Sequence, residues 1–235
     1  MYLFVQNPDS SYNLIMNKPK ENSFLGKFFY LILMLFFRPL VKLIWIKKID
    51  GIKNIPLSGP YIVAANHQSY FDFISLMSVL PHRLYFLAAE KFFKSKFWRP
   101  IVEYTGQIRV DRDAEDKSQV ITQATEVLKS GQILALFPQG TRSRTGEIEK
   151  TFTGVARIAL LARVPVVPVG IKGAFEVFPP EGKLKWKKDI EINIGPPMDF
   201  NKYYDFEKNP QLYRAITNQV MVEISRLAEK EYKEE

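Results

Sequence analysis

The pattern of apolar and polar positions divides this chain into two unlike parts. Residues 24–46, FLGKFFYLILMLFFRPLVKLIWI, are almost continuously apolar or aromatic, whereas short apolar runs alternate with helical spacing after Asp50. The runs predict strands over residues 61–65, 84–88, 107–110, 133–137, 166–171 and 190–194. Helical spacing predicts helices over residues 71–80, 90–104, 116–129, 154–162 and 211–232. This alternation indicates an α/β fold with a mostly parallel central sheet flanked by helices.

The apolar N-terminal part has the features of a segment that lies on a membrane. Its length as a helix, about 35 Å, is nominally sufficient to cross a bilayer. However, Lys27, Arg38 and Lys42 fall in one narrow sector opposite a broad apolar face, and Pro39 is expected to divide the helix into two. We therefore expect a membrane-associated helical hairpin in an anionic lipid interface over residues 1–49, followed by one α/β domain over 50–235. A hairpin packed on the domain and a transmembrane span are the alternatives.

Charge and composition narrow the possible partners. Lys and Arg number 33 against 25 Asp and Glu, which gives a net charge of +8 and indicates an anionic partner. The absence of cysteine excludes a disulfide scaffold, a thiol nucleophile and a thiolate metal site, and two histidines argue against a metal centre built of several histidines. The basic residues accompany aromatic, lipid-seeking helices and form no known binding module for nucleic acid, so nucleic acid is not an expected partner.

The first predicted strand leads into a loop with catalytic potential, Asn66-His67-Gln68-Ser69-Tyr70-Phe71-Asp72. His67 and Asp72 lie about 140° apart on a continuous helix, so they meet only if His67 lies in the loop and Asp72 in the first helical turn. A carboxylate bonded to one imidazole nitrogen leaves the other as a base near neutral pH. Alternatively, Asp72 only caps the helix. Ser69 lacks the G-x-S-x-G context of a nucleophile, which makes a substrate hydroxyl the better attacking group.

Two further strand ends carry residues suited to an oxyanion. In Phe137-Pro138-Gln139-Gly140-Thr141-Arg142-Ser143, the glycine permits close approach of a ligand, while Thr141 and Arg142 supply donors; an ordinary surface turn is the alternative. The stretch GQIRVDR delivers either Arg112 as a ligand or a structural pair of Asp111 and Arg112. The sequence contains no Walker or dinucleotide glycine loop.

Taken in order, four blocks between residues 61 and 169 resemble the glycerophospholipid acyltransferases: NHQSYFD, GQIRVDR, FPQGTRS and VPVVPV. The resemblance implies that His67 is the general base and that Asp72 orients it. It also implies that Arg112, Gly140, Thr141 and Arg142 bind the phosphate and glycerol of the acceptor. Gln139 stands where the family usually has Glu; its amide still hydrogen-bonds a glycerol hydroxyl but carries no charge.

The resemblance further implies a reaction and a location. A fatty acyl group passes from acyl carrier protein (acyl-ACP) or coenzyme A (acyl-CoA) to the sn-2 hydroxyl of lysophosphatidate, directly and without an acyl-enzyme or cofactor, and yields phosphatidate. The enzyme would be peripheral or monotopic on the cytoplasmic face of the cell membrane, in contact with anionic lipid. A related acyltransferase with glycerol 3-phosphate or another lysolipid as acceptor, and a non-catalytic lipid-binding scaffold, are the alternatives.

Two lysine-rich clusters remain open to interpretation. They comprise Lys183, Lys185, Lys187 and Lys188, and Lys91, Lys94, Lys96 and Arg99. Each is suited to anionic lipid or to an acidic carrier protein, and each is equally compatible with ordinary solvated charge.

Overall fold

The central feature of the fold is a seven-stranded sheet. The computed structural model describes residues 23–111 and 116–234. The strand order is β1-β7-β6-β2-β5-β3-β4, and every neighbouring pair is parallel except β6 and β7. The strands are β1 (Ile46–Asp50), β2 (Ile62–Ala65), β3 (Leu84–Ala89), β4 (Ile108–Val110), β5 (Ile133–Leu136), β6 (Val166–Lys172) and β7 (Ile190–Ile194).

Helices cover both faces of this sheet. The N-terminal helix consists of α1 (Phe24–Ile32), a π-helical turn (Leu33–Phe37) and α2 (Arg38–Ile44). The others are α3 (Phe71–Val79), α4 (Glu90–Lys94), α5 (Trp98–Tyr104), α6 (Ser118–Lys129), α7 (Gly154–Ala162), α8 (Ala174–Val177) and α9 (Pro210–Ala228). The predicted α/β class, with a mostly parallel sheet between helices, is confirmed.

The central strand β2 is buried on both faces of the sheet. Val63 and Ala65 belong to one core cluster, together with residues of α2 and α3, whereas Ile62 and Ala64 belong to a second cluster with α6, α7 and α9. All four residues of β2 are fully buried. Strands buried on both faces appear as continuous apolar runs, which is the pattern found in the sequence.

Two elements differ from the sequence prediction. Strand β1 was not predicted, because it lies at the sheet edge and only Ile46 of its five residues is buried. The boundary expected between residues 49 and 50 falls within this strand. The helix predicted over 90–104 is divided into α4 and α5 at Ser95, which has an extended backbone. Pro100 then lies in the first turn of α5, where its missing N–H removes no helical hydrogen bond.

The expected N-terminal hairpin is wrong within the described residues, since a single helix runs from Phe24 to Ile44. The backbone N–H of Arg38 bonds to the carbonyl of Leu33, one residue further back than in an α-helix. This π-helical turn allows Pro39 to lie in the first turn of α2, where no N–H is required, so the helix continues. By length and composition the helix is able to cross a membrane.

The N-terminal helix is attached to the domain along a narrow stripe. Only Gly26 and Val41 of its two α-helical parts are buried, whereas Phe24 is 82% and Leu43 is 69% exposed. A hairpin packed into the domain is therefore not observed. Arg38, which the sequence grouped with Lys27 and Lys42 on the basic side of the helix, donates to the carbonyls of Ser78 and Val79 at the end of α3.

Candidate active site

The loop between β2 and α3 brings His67 and Asp72 into contact. The Nδ1 atom of His67 lies 2.8 Å from Oδ2 of Asp72. The same carboxylate oxygen accepts the backbone N–H groups of Gln68 at 2.6 Å and Ser69 at 2.7 Å. Asp72 is fully buried in the first turn of α3, and 13% of the His67 side chain is exposed. The loop therefore folds back on the carboxylate, so Asp72 both organises the loop and bonds the imidazole.

The loop that follows β5 holds His67 from the other side. The imidazole stacks on the ring of Phe137, with centroids 4.0 Å apart and an interplanar angle of 11°. The backbone N–H of His67 donates to Oε1 of Gln139 at 2.8 Å, and its carbonyl accepts the N–H of Ser143 at 2.8 Å. Because β2 and β5 are adjacent and parallel, their carboxyl ends meet at one sheet edge, the usual position of a ligand site.

Asn66 and Ser69 serve the architecture of the loop. The side chain of Asn66 donates to the carbonyl of Ile171 and accepts its N–H, which ties the end of β2 to β6. The hydroxyl of Ser69 donates to the carbonyl of Phe178 and accepts the N–H of Phe71. Since Ser69 is fully buried and bonded to backbone, its hydroxyl is not placed for nucleophilic attack.

Gly140 and Arg142 lie in the loop that follows β5, and each has a specific structural feature. Gly140 has φ +67°, and a Cβ atom at this position would lie 2.9 Å from the ring of Phe152, so both conformation and space require glycine. The guanidinium of Arg142 lies 3.5 Å from the ring centroid of Tyr70. Its Nη1 atom is buried and has no hydrogen-bond partner among the described residues, which leaves a donor for an anion.

An aromatic cavity of about 120 Å³ opens beside His67. Its wall includes Phe73, Phe92 and Trp98, and Arg142 contributes a charge. We call this space the aromatic cavity. Lys91 lies in the same wall. A small, largely apolar space with cationic side chains in its wall is suited to an amphipathic ligand with an anionic end.

A second cavity, of about 460 Å³, also has His67 in its wall. Lys117 and Arg157 lie in its wall together with Gly140, and we call it the basic cavity. His67 and Thr141 line both cavities. The imidazole therefore lies in a wall that the two cavities share.

These elements coincide with the region matched by a family model. A model described as Acyltransferase matches residues 47–172, from β1 to the end of β6. This chain belongs to the Acyltransferase family. The matched region contains both loops that surround His67, at the carboxyl ends of β2 and β5.

Individual relatives match about two thirds of this acyltransferase. The 1-acyl-sn-glycerol-3-phosphate acyltransferase of Bacillus subtilis (strain 168) is 29% identical over 153 residues, which cover 64% of this chain and 73% of that protein. The 1-acyl-sn-glycerol-3-phosphate acyltransferase alpha of Homo sapiens is 26% identical over 153 residues, which cover 64% of this chain and 54% of that protein. The chain thus spans about half the length of its human relative.

A solved structure agrees with the fold of this acyltransferase. The crystal structure of the 1-acyl-sn-glycerophosphate (LPA) acyltransferase, PlsC, from Thermotoga maritima matches with a TM-score of 0.66. The match covers 88% of this chain and 95% of that chain at 21% sequence identity. At this identity the comparison establishes the architecture, and the roles of individual side chains must be argued from their contacts.

The predicted site residues of the acyltransferase are largely gathered at one place. His67, Gly140, Thr141 and Arg142 each line one or both cavities. Asp72 and Gln139 are bonded to His67, whereas Arg112 lies outside the described residues. Within residues 23–111 and 116–234, no group of three or more His, Asp or Glu side chains is placed to hold a metal ion.

Sequence reasoning missed several contributors to this site. Tyr70 and Phe137 lie inside the quoted blocks, but their ring contacts with Arg142 and His67 depend on folding. Lys117 and Arg157 lie outside the blocks, on or next to helices, and their residue types carry no local signal of a cavity.

Proposed function

We propose that this acyltransferase moves a fatty acyl group from acyl carrier protein or coenzyme A to the sn-2 hydroxyl of 1-acylglycerol 3-phosphate, which yields phosphatidate. The names of the Bacillus and human relatives support this acceptor. The observation that carries the proposal is the hydrogen bond between His67 and the buried carboxylate of Asp72, at the junction of two cavities and beside Arg142.

In the proposed reaction His67 is the general base. Asp72 accepts a hydrogen bond from the Nδ1–H group of His67, so the free lone pair of the neutral imidazole is on Nε2. Nε2 takes the proton of the acceptor hydroxyl as that oxygen attacks the thioester carbonyl. The new C–O bond forms, the C–S bond breaks, and the imidazolium returns the proton to the departing thiolate. The acyl group therefore passes directly from thioester to hydroxyl, and the proposed reaction requires neither an acyl-enzyme nor a cofactor.

The guanidinium and amide groups of the site are proposed to position the acceptor. Arg142, together with Arg112, Gly140 and Thr141, binds the phosphate, and this binding determines which hydroxyl reaches His67. Support for this role comes from the unpartnered Nη1 atom of Arg142. Gln139 uses Oε1 to hold the backbone of His67, while its buried Nε2 has no partner within the described part of the chain and suits a glycerol hydroxyl.

The N-terminal helix is proposed to place this site on a membrane. It exposes a row of large apolar side chains, including Phe28, Leu35 and Phe36, whose burial in lipid is favourable. We propose a monotopic or peripheral location on the cytoplasmic face, in contact with anionic lipid, where a lysophosphatidate tail stays in the leaflet while its headgroup reaches the cavities. Acyl thioesters arrive from the aqueous side.

A turnover assay with purified protein, both thioester donors and several acceptors tests the proposed function. We expect transfer to lysophosphatidate, and a loss of about 10²–10⁴-fold in His67→Ala. His82→Ala is the matched control, because His82 bonds the carbonyl of Pro56 away from both cavities. Retained turnover in His67→Ala would remove the base assignment. Bound lysophosphatidate without any turnover in the unaltered protein would favour the scaffold alternative, and turnover restricted to glycerol 3-phosphate or another lysolipid would change the acceptor.

A further inference from the structure

A basic, tryptophan-containing loop is not used by the proposed reaction. Residues 179–188, PPEGKLKWKK, connect α8 to β7, and we call them the Trp186 loop. Trp186 is 75% exposed and Leu184 is 36% exposed. An exposed indole between lysines is unusual for a surface that contacts only water, because tryptophan side chains are mostly covered.

The loop is fixed against the end of the N-terminal helix. The indole Nε1 of Trp45 donates to the carbonyl of Lys185 at 2.9 Å, and the rings of Trp45 and Trp186 pack with centroids 4.9 Å apart. Trp45 is buried and also packs on Phe71 at the start of α3. Trp186 is therefore held against Trp45, which directly follows the last turn of the N-terminal helix. That last turn also exposes Leu43.

The charge of the loop indicates an anionic partner. Residues 179–188 contain four lysines and one glutamate, and all four lysines are exposed. Lys187 pairs with Asp189 at 2.7 Å. Lys183, Lys185 and Lys188 form no ion pair with any residue in the described part of the chain. Three cationic side chains are thus available to a partner next to an exposed aromatic ring.

We infer that the Trp186 loop is a second membrane contact, which binds the headgroup region of an anionic bilayer. Tryptophan favours the membrane–water interface, where its ring is partly covered by lipid, and lysines next to it attract anionic headgroups. An acidic carrier protein would account for the lysines, but an exposed indole that packs on Trp45 at the end of an apolar helix favours lipid. The inference rests on the proposed membrane location of the helix, not on the identity of the acceptor.

The loop begins at the wall of the active site. The backbone N–H of Lys185 bonds to the carbonyl of Val177, and the carbonyl of Phe178 accepts the hydroxyl of Ser69. The ring of Phe178 contacts the ring of Tyr70, and the guanidinium of Arg142 lies over that tyrosine ring. Lipid contact by the loop and by the helix would therefore hold the site at a defined height and orientation above the leaflet.

Vesicle partitioning of the full chain tests this inference. We expect Lys183→Gln/Lys185→Gln/Lys188→Gln to reduce the partition coefficient for mixed phosphatidylcholine and phosphatidylglycerol vesicles on the order of 100-fold, with no change on pure phosphatidylcholine. Trp186→Ala should lower it about tenfold on both vesicle types. Brominated lipid should quench the fluorescence of the unaltered protein, and Trp186→Phe should lose that quenched component.

Matched variants on another surface provide the controls. Lys129→Gln/Lys202→Gln/Lys233→Gln removes three exposed lysines, and Phe206→Ala removes an exposed ring that packs on Tyr203; both should partition like the unaltered protein. Equal partitioning of the loop variants and these controls would overturn the inference. Unchanged vesicle binding with weaker binding to acyl carrier protein would overturn it in favour of a carrier site.

The vesicle measurement requires no turnover, so it remains valid if the proposed reaction is wrong. Conversely, turnover of a dispersed short-chain lysophosphatidate tests the reaction without a membrane. Loop variants should retain that turnover and lose activity on vesicle-bound acceptor. Equal losses on dispersed and vesicle-bound acceptor would overturn the membrane role.

Discussion

At the residue scale, one carboxylate oxygen determines the geometry of the site. Oδ2 of Asp72 accepts hydrogen bonds from the imidazole of His67 and from two consecutive backbone N–H groups. Oδ1 is buried without a partner among the described residues. Such charge-assisted hydrogen bonds are about twice as strong as neutral ones. The charge of Asp72 therefore contributes both to the shape of the loop and to the orientation of the base.

Asp72→Asn separates charge from shape at this position. The amide keeps the size of the side chain and one acceptor oxygen, but it removes the charge that favours the Nδ1–H tautomer and the imidazolium. We expect kcat to fall about 10³–10⁴-fold and the free energy of unfolding to fall by about 1–3 kcal/mol. Steady-state kinetics and urea unfolding measure the two effects.

Ser75→Ala is the control for Asp72→Asn, since Ser75 lies on the same helix, is fully buried and has an unpartnered hydroxyl in the described structure. Its kcat should match that of the unaltered protein. A kcat for Asp72→Asn equal to this control would contradict a role in orienting His67.

At the element scale, one guanidinium adds hydrogen bonds to the apolar contact between the N-terminal helix and α3. Nε of Arg38 donates to the carbonyl of Ser78 at 2.6 Å, and Nη2 donates to that of Val79 at 3.0 Å. These carbonyls lie in the last turn of α3, where the helix dipole favours a cation. Arg38 thus links the N-terminal helix to the helix that begins with Phe71 and Asp72.

Arg38→Met tests this attachment. The substitution keeps much of the apolar stem but leaves two carbonyls without their charged donor, and we expect the free energy of unfolding to fall by about 2 kcal/mol. Urea unfolding in a fixed detergent measures it. Lys27→Met is the control, because Lys27 is on the same helix and exposed. Equal stability of the two variants would show that Arg38 does not anchor the helix.

At the scale of the whole molecule, the double-sided burial of the sheet places a hydroxyl in the core. Tyr61 precedes β2, is fully buried, and its hydroxyl has no hydrogen-bond partner in the described residues. Burial disfavours the phenolate and raises the pKa of Tyr61 to about 12. The unfolded chain ionises near the ordinary pKa of 10, so the folded state loses stability as the pH rises from 10 to 12.

Tyr61→Phe should remove this alkaline loss. At neutral pH the variant should be about 1 kcal/mol more stable, because an unpaired buried hydroxyl is lost while the ring remains. Its advantage should increase between pH 10 and pH 12. Urea midpoints at neutral pH and within that interval measure the difference. Parallel pH dependences for the two proteins would mean that the Tyr61 hydroxyl is solvated in the folded state.

Local pattern alone predicted the class of fold and the candidate positions of the functional residues. Strands β2, β5 and β6 are recognisable because burial on both faces makes them continuously apolar. The polar blocks that follow β2 and β5 mark the ends of those strands, where α/β proteins bind ligands. Residue types and their order within a few positions were sufficient for these conclusions.

Only the tertiary structure determined which distant segments are in contact. The order of strands brings Gln139 to His67 across 72 residues and the loop around Lys185 to Trp45 across 140 residues, and no local periodicity encodes that order. Edge strand β1 became evident only through its pairing with β7, because one buried side chain leaves almost no apolar signal. The periodicity of apolar residues in the sequence indicates which side chains are buried. Contacts between loops, in contrast, depend on how the entire sheet packs.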